Sequence, residues 1–307
     1  MDSQTFYLTD TYGKSLHVYR WMPAQESLRG IVQVVHGVAE HAGRYERLAH
    51  VLTTSGYGVY AHDHRGHGKT DPDHLGFVDS DDAFILMTEN VRDVFDHIRH
   101  EHPDVPLLQL GHSMGSTLVM RALQKKLTRP AGLIYSGVIA PPPFYVAFGI
   151  WLASISARIY GPDVPGTFLE SLVFGPYRNG FKPNRTNVDW LNRDEAEVDA
   201  YVNDPYCNFI LSSSFYRDFL NGVATTLSKP NLKNHPREVP VCIISGDADP
   251  VGNNGKGVHQ VAETLKQAGV TDLQINLYEG GRHEMLNETN RNQVLADMLS
   301  WIDKHNS

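Results

Sequence analysis

Short apolar runs alternate along the chain with longer segments in which apolar residues recur at helical spacing. The runs lack strict apolar and polar alternation, as is typical of strands that helices cover on both faces. Four runs come before residue 140, at residues 30–36, 57–63, 105–111 and 132–138. The helical segments between them are residues 45–54, 82–100 and 114–127. This order predicts an α/β fold with a mostly parallel central sheet and helices on both faces.

The start of the chain and its middle differ from this alternation. Residues 5–9 and 15–21 flank the turn sequence Thr11-Tyr12-Gly13-Lys14, which predicts an antiparallel hairpin at the sheet edge. Three prolines at 141–143 open a stretch with helical pieces and no strand-like run. We therefore expect residues 141–231 to form an inserted helical cap, or lid, on a core made of residues 1–140 and 232–307. The alternation resumes at 239–246, 257–268, 272–279 and 290–305.

Composition narrows the class of protein. The 307 residues are 41% hydrophobic and 20% charged, which is typical of a packed globular chain. A formal net charge of −8 with scattered Lys and Arg argues against nucleic acid as a partner. Cys207 and Cys242 form neither a metal-binding nor a disulfide spacing. Two reduced thiols and no signal-peptide pattern indicate a cytoplasmic protein.

The strongest chemical motif is Gly111-His112-Ser113-Met114-Gly115. It follows a predicted buried strand and opens a predicted helix, which is the context that a G-x-S-x-G nucleophile elbow requires. The tight turn lifts the serine oxygen above the sheet, and the helix N-terminus directs amide donors at developing negative charge. We therefore predict that Ser113 is a catalytic nucleophile.

A serine nucleophile needs a general base and a carboxylate that orients the base. In this fold the acid and then the histidine follow the serine in the chain. Asp249 lies beyond the end of one predicted strand, and His283 follows the last one after a pair of glycines. Asp247 is the main alternative for the acid and Glu279 a more distant one. We assign Asp249 because it lies further into the loop, where sites of open α/β sheets form.

Ester cleavage also needs backbone amides that bind the oxyanion. The N–H of Met114, just after the nucleophile, is one predicted donor. The other is the N–H of Val38, in the loop His36-Gly37-Val38-Ala39 that follows the first parallel strand. The alternative interpretation of His36-Gly37 is a turn that simply ends the strand.

Two further groups of residues have both a functional and a purely structural interpretation. The histidines at 62, 64 and 67 do not form a recognised metal-binding pattern, so we expect no metal and no organic cofactor. Arg65 and His67 are instead expected to brace the active-site loops. The apolar cap segment is either an acyl-chain wall that contacts membranes peripherally or ordinary packing, and it is too short to span a bilayer. Its residues are Phe148, Ile150, Trp151, Leu152 and Ile155.

Five motifs in order along the whole chain resemble the monoacylglycerol lipase and lysophospholipase branch of the α/β-hydrolases. They lie at residues 36–45, 63–68, 111–115, 249–251 and 282–284. The resemblance implies the triad Ser113, Asp249 and His283 with the oxyanion donors Val38 and Met114. It also implies that Glu40 and Arg44 lie near the polar head group of the ester. The animal enzymes carry a second histidine three places beyond the catalytic one, where this chain has Leu286.

The sequence thus predicts a serine esterase or lipase that forms an acyl-enzyme on a fatty-acid ester, of monoacylglycerol or lysophospholipid type. A small-molecule or lipid ester is the expected partner, and the oligomeric state is not specified. Alternatives with the same triad are a peptidase of proline iminopeptidase type and a broad carboxylesterase or thioesterase. A non-enzymatic ligand receptor would not need all three triad residues.

Overall fold

One eight-stranded sheet forms the centre of the protein. The computed structural model describes residues 1–24, 28–79 and 81–306. Strand order across the sheet is β1-β2-β4-β3-β5-β6-β7-β8. The strands are β1 (Asp2–Thr9), β2 (Ser15–Met22), β3 (Gly30–Val35), β4 (Tyr57–His62), β5 (Leu107–His112), β6 (Leu133–Ser136), β7 (Val241–Gly246) and β8 (Leu273–Tyr278).

The sheet direction follows the predicted pattern. Strands β3 to β8 are mutually parallel, whereas β1 and β2 form an antiparallel hairpin whose last pair is Thr9 and Ser15. β2 also runs antiparallel to β4. The predicted edge hairpin and the mostly parallel sheet are confirmed. The carboxyl ends of β3, β5, β7 and β8 consequently meet at one edge of the sheet, where sites of open α/β sheets form.

Helices cover both faces of this sheet. The helices are α1 (Glu46–Thr54), α2 (Ala83–Glu101), α3 (Met114–Gln124), α4 (Pro143–Tyr160), α5 (Thr167–Arg178), α6 (Glu195–Asn203), α7 (Ser213–Thr226), α8 (Lys229–Leu232), α9 (Lys256–Gln267) and α10 (Arg291–Lys304). One core cluster packs α2, α3 and α9 on one face, and a second packs α1 and α10 on the opposite face.

The segment between β6 and β7 holds α4 to α8 and contributes no strand to the sheet among its described residues. α4 packs on α7, and α7 packs on α2 and α3, so this segment shares a core with the face below it. The predicted cap boundary at residue 231 falls inside α8. No helix in residues 1–24, 28–79 and 81–306 has the length and apolar character needed to cross a bilayer.

Candidate active site

Ser113 lies in a strained turn between β5 and α3. Its φ of 52° and ψ of −117° are unfavourable for a residue with a side chain, and such strain is typical of functional sites. The turn is held by the Ser113 N–H, which donates to the Ser136 carbonyl at 2.9 Å. A Cβ atom on Gly115 would lie 1.9 Å from the Val35 carbonyl oxygen, so the start of α3 approaches β3 too closely for any side chain. This is the geometry of a nucleophile elbow.

Asp249 and His283 are in contact at the ends of β7 and β8. His283 Nδ1 lies 2.8 Å from Asp249 Oδ2, and the other Asp249 oxygen accepts the Val251 N–H at 2.9 Å. Burial is the largest single effect and lowers the pKa of His283, but Asp249, with smaller contributions from Glu284 and Glu40, raises that pKa above its ordinary value. A His ring that donates from Nδ1 presents Nε2 as a proton acceptor. The pair therefore has the chemistry of a general base with its orienting acid.

Asp247, the alternative acid, has a different partner. Its Oδ1 accepts the Gly280 N–H at 2.7 Å, and its own N–H donates to the Tyr278 carbonyl. Asp247 thus connects the end of β7 to the loop that carries His283. It supports the backbone of that loop, whereas Asp249 contacts the ring.

His112 and Trp190 flank the catalytic imidazole. The His112 ring centroid is 4.8 Å from that of His283, and the Trp190 centroid is 5.4 Å away. Burial is the largest cause that lowers the pKa of His112 to about 4, followed by the neighbouring His283. His112 is therefore neutral near pH 7 and adds no charge beside the base. Trp190 lies in a 3₁₀ turn, Asp189–Leu191, of the predicted cap.

The loop after β3 passes directly beside the nucleophile. A Cβ atom on Gly37 would lie 3.3 Å from the Ser113 Cβ, which measures how close the two backbones are. The Gly37 N–H donates to Glu40 Oε1 at 2.6 Å and the Ala39 N–H to His67 Nε2 at 3.2 Å. Because both flanking amides have partners, the Val38 N–H between them is the candidate oxyanion donor from this loop.

Buried neutral histidines contact and support the loop after β3. Burial is the main cause that lowers the pKa of His67 to about 4, so Nε2 can accept the Ala39 N–H. His36 is likewise buried, its pKa is well below the ordinary value, and its Nε2 accepts the His64 N–H at 3.0 Å. The ring of His67 thus braces the loop. Arg65 contributes through its carbonyl, which faces His67 Nδ1 at 2.9 Å, while its guanidinium pairs with Asp10.

Glu40 and Arg44 lie beside this site together with Glu284, which belongs to a sequence motif but had no predicted role. Arg44 Nη1 donates to Glu40 Oε2 at 2.6 Å and to Glu284 Oε1 at 2.7 Å. Burial is the largest single effect and raises the pKa of Glu284, but Arg44, with smaller contributions from His112 and Asn287, brings that pKa below its ordinary value. The sequence signal for Glu284 was only its place directly after His283.

Several of these residues line a cavity of about 500 Å³. They are Val38, Ser113 and His283, together with Glu40 and Glu284. The remaining wall is largely apolar and comes from α4, α5 and α7, including Val146, Phe148, Val173, Phe174, Leu220 and Val223. Of the five predicted acyl-wall residues, Phe148 lines the cavity, whereas the Trp151 and Ile155 side chains are exposed.

One group near the site has donor atoms of metal-ligand type. His41, Asp204 and Cys207 place one such atom each within 4.8 Å of one another. His41 Nε2 is already 3.0 Å from Asp204 Oδ2, and burial raises the pKa of the Cys207 thiol. His41 and Asp204 therefore form a hydrogen-bonded contact beside the Cys207 thiol. The two cysteines are free and buried.

The chain is similar in sequence to one family of hydrolases and to known lipases. The Hydrolase_4 family, described as "Serine aminopeptidase, S33", matches residues 26–290. The chain is 29% identical to the monoglyceride lipase of Mus musculus over 96% of this chain and 89% of that protein. It is 28% identical to the monoacylglycerol lipase of Mycolicibacterium smegmatis over 93% of this chain and 91% of that protein.

A solved structure extends the similarity to the fold. A thermostable carboxyl esterase from Bacillus coagulans, in complex with glycerol, superimposes with a TM-score of 0.91 at 28% identity, covering both chains completely. The elbow, the histidine and acid pair and the loop after β3 lie within the matched residues. The chain therefore belongs to the Hydrolase_4 family of α/β-hydrolases.

Proposed function

We propose that the protein is a serine esterase or lipase that hydrolyses a fatty-acid monoester of a small neutral alcohol. The observation that carries the proposal is the strained Ser113 turn in the lining of a largely apolar cavity that His283, the hydrogen-bond partner of Asp249, also lines. The names of the similar proteins agree with ester hydrolysis.

In the proposed reaction, His283 Nε2 takes the proton of the Ser113 hydroxyl as its oxygen attacks the ester carbonyl. Asp249 holds the Nδ1–H tautomer and stabilises the imidazolium that forms. The imidazolium then gives its proton to the leaving alcohol, and an acyl-enzyme remains on Ser113. Water, deprotonated by the same ring, releases the fatty acid and restores the serine.

The N–H groups of Val38 and Met114 are the proposed oxyanion donors. Both belong to backbone that approaches Ser113, one from the loop after β3 and one at the start of α3. Met114 also begins a helix, whose N-terminal partial positive charge favours the oxyanion. Loss of one such donor typically costs about 3 kcal/mol of transition-state stabilisation.

The cavity suggests which ester is cleaved. Its apolar wall, from α4, α5 and α7, suits an acyl chain. Near the catalytic residues, two carboxylates, Glu40 and Glu284, share the single cation of Arg44. Excess negative charge repels a phosphate head group, while carboxylate oxygens accept hydrogen bonds from hydroxyl groups. We therefore favour a monoacylglycerol over an anionic lysophospholipid, with Glu40 near the head group.

A substrate series tests this proposal. Monoacylglycerols of increasing chain length are compared with lysophosphatidate, lysophosphatidylcholine and p-nitrophenyl esters of the same acyl groups. We expect medium or long acyl chains to raise kcat/KM and lysophosphatidate to be the poorest lipid. A sharp optimum at acetyl or butyryl esters, or a preference for lysophosphatidate, would contradict the proposal.

The same carboxylates make an aminopeptidase the second candidate. The family description names a serine aminopeptidase, and Glu40 and Glu284 could pair with a substrate ammonium group. Arg44 neutralises part of that charge, which is why we rank the ester first. Hydrolysis of prolyl or alanyl p-nitroanilides, with no turnover of acyl esters, would favour the peptidase.

Residues 141–231 are the proposed cap, and α4 its proposed contact with a lipid surface. Helix α4 exposes several large apolar side chains, at Phe144, Tyr145, Phe148, Trp151, Ile155, Ile159 and Tyr160, of which Tyr145 and Phe148 also line the cavity. Aromatic rings favour the interface between head groups and acyl chains. Co-sedimentation with phosphatidylcholine vesicles should fall when Trp151 and Ile159 are replaced by Ser. Unchanged sedimentation would remove the membrane contact.

A further inference from the structure

A buried ion-pair network links the two catalytic loops. Arg44 lies in the 3₁₀ turn Ala42–Tyr45, and its guanidinium contacts two carboxylates that are far apart in the chain. Nη1 donates to Glu40 and to Glu284, and Nη2 donates to the other Glu284 oxygen at 2.8 Å. Side chains of both glutamates are 4% and 6% exposed, and that of Arg44 is 12% exposed. We call Glu40, Arg44 and Glu284 the Arg44 bridge.

On one side the Arg44 bridge holds the loop after β3. Glu40 Oε1 accepts the Gly37 N–H at 2.6 Å and the Tyr45 hydroxyl at 2.9 Å. Gly37 is the neighbour of Val38 and is the part of this loop that lies against Ser113. The position of the Glu40 carboxylate therefore sets the direction of the backbone that carries the proposed oxyanion donor.

On the other side it holds the loop that carries the catalytic base. Glu284 directly follows His283, and its N–H donates to the Leu191 carbonyl at 2.8 Å. The bidentate contact with Arg44 fixes the Glu284 side chain as well. The backbone and the side chain of Glu284 are thus both held by hydrogen bonds. A movement of Arg44 would therefore displace the backbone next to the His283 imidazole.

The guanidinium itself is occupied by these contacts. Its carbon lies 4.9 Å from the centre of the Tyr201 ring, and the Tyr201 hydroxyl donates to the Ala39 carbonyl at 2.9 Å. Glu40 and Glu284 line the cavity, whereas Arg44 lines a separate and more open groove, the outer groove, with Gly43, Arg47 and His50. A head-group contact would require Arg44 to leave its buried partners.

We infer that Arg44 is a positioning residue that, through Glu40 and Glu284, holds the loop after β3 and the loop that carries His283 in fixed relative positions during catalysis. The inference rests on the proposed function, since it concerns the same hydrolytic site. Without the guanidinium, two buried carboxylates would repel each other, and the loops they hold would move apart. A displacement of about 1 Å can lower kcat roughly 100-fold.

The test separates positioning from head-group binding by using two substrates with one acyl chain. A p-nitrophenyl ester has no glycerol, whereas the matching monoacylglycerol has it. For Arg44→Ala we expect kcat to fall about 100-fold on both substrates, with KM changed by less than about threefold. Glu284→Gln should give a smaller loss of the same form. Arg47→Ala, which removes an exposed ion pair with Glu197 of α6 and an exposed hydrogen bond to Asn287, is the control and should keep kcat.

Chemical rescue adds a readout that a general loss of stability would not move. Guanidinium chloride at millimolar concentration can enter through the outer groove and occupy the space left in Arg44→Ala. We expect it to restore kcat about tenfold for this variant and to leave wild type and Arg47→Ala unchanged. Arg44→Lys, a point charge without the planar fork, should remain impaired.

Specific outcomes overturn the inference. A kcat of Arg44→Ala near the wild-type value on the p-nitrophenyl ester, with a raised KM only on the monoacylglycerol, would assign Arg44 to the head group. If Arg44→Ala fails to fold by circular dichroism, a wild-type kcat of Glu284→Gln on the p-nitrophenyl ester overturns it equally. The rate at which a fluorophosphonate probe labels Ser113 is measured in each variant as well. This rate reports the positioning of the site even if neither ester is a substrate. Failure of the proposed function can therefore be distinguished from failure of the inference about Arg44.

Discussion

Acid should destabilise this protein through histidines that are buried in the neutral form, and His62 is the clearest example. It lies at the end of β4 with no exposed surface, and neither ring nitrogen has a hydrogen-bond partner among the described residues. The His64 ring packs edge-on against the His62 ring, with 4.7 Å between the ring centroids. Asp93 is the nearby acid whose charge favours protonation of His62. Burial outweighs Asp93 and lowers the pKa of His62 to about 4 from 6.5.

The size of the effect follows from linkage. Between these two pKa values the unfolded chain binds a proton that the folded ring does not, so stability falls as pH drops from about 6.5 to about 4. At pH 5 the difference for one such ring is about 2 kcal/mol, and near pH 7.5 it is close to zero. Total stability is of order 5–15 kcal/mol, so a few such rings decide acid unfolding. His67 and His112 are shifted to similar values.

The variant His62→Leu measures this term. It removes one titrating ring, and the packing change it introduces is the same at both pH values. Urea unfolding followed by tryptophan fluorescence gives the free energy of unfolding of the variant minus that of wild type. We expect this difference to be about 2 kcal/mol more positive at pH 5 than at pH 7.5. His50→Leu, an exposed position on α1, is the control and should show no such change. An equal difference between His62→Leu and wild type at both pH values would refute the reasoning.

Three further predictions concern the site. Asp249→Asn should lower kcat about 10⁴-fold because the imidazole loses its tautomer, whereas Asp247→Asn should cost less than about tenfold; equal losses would reverse the acid assignment. The acid limb of the kcat/KM profile should lie above pH 6.5, because Asp249 raises the pKa of His283 and the reaction needs the neutral ring; a limb at lower pH would contradict this. Gly115→Ala should yield little folded protein, since its Cβ would lie 1.9 Å from the Val35 oxygen; normal yield and activity would disprove the close approach.

The parts of the fold that the sequence predicts are those with a local cause. Buried parallel strands produce continuous apolar runs, and the elbow needs glycines at fixed offsets around Ser113, so both are visible in a few consecutive residues. The hairpin at Thr11 to Lys14 is local in the same way. The choice between Asp247 and Asp249 was less certain from sequence, because two residues in one loop differ only in the direction in which the turn points them.

The Arg44 bridge could not be predicted because its cause is not local. Arg44 and Glu284 are 240 residues apart in the chain and meet only once β3 and β8 share a sheet edge. No spacing rule connects them, and a single glutamate after His283 resembles any other polar loop residue. The same holds for Trp190, which reaches the catalytic ring from the segment between β6 and β7.

The turnover of Ser113→Ala tests the central claim most directly. The protein is expressed beside wild type, its fold is checked by circular dichroism, and hydrolysis of a medium-chain p-nitrophenyl ester is followed. The activated serine predicts that kcat falls by about 10⁵-fold or more while the unfolding midpoint stays close to that of wild type. A folded Ser113→Ala protein with a kcat near the wild-type value would show that the hydroxyl at the elbow does not carry the reaction.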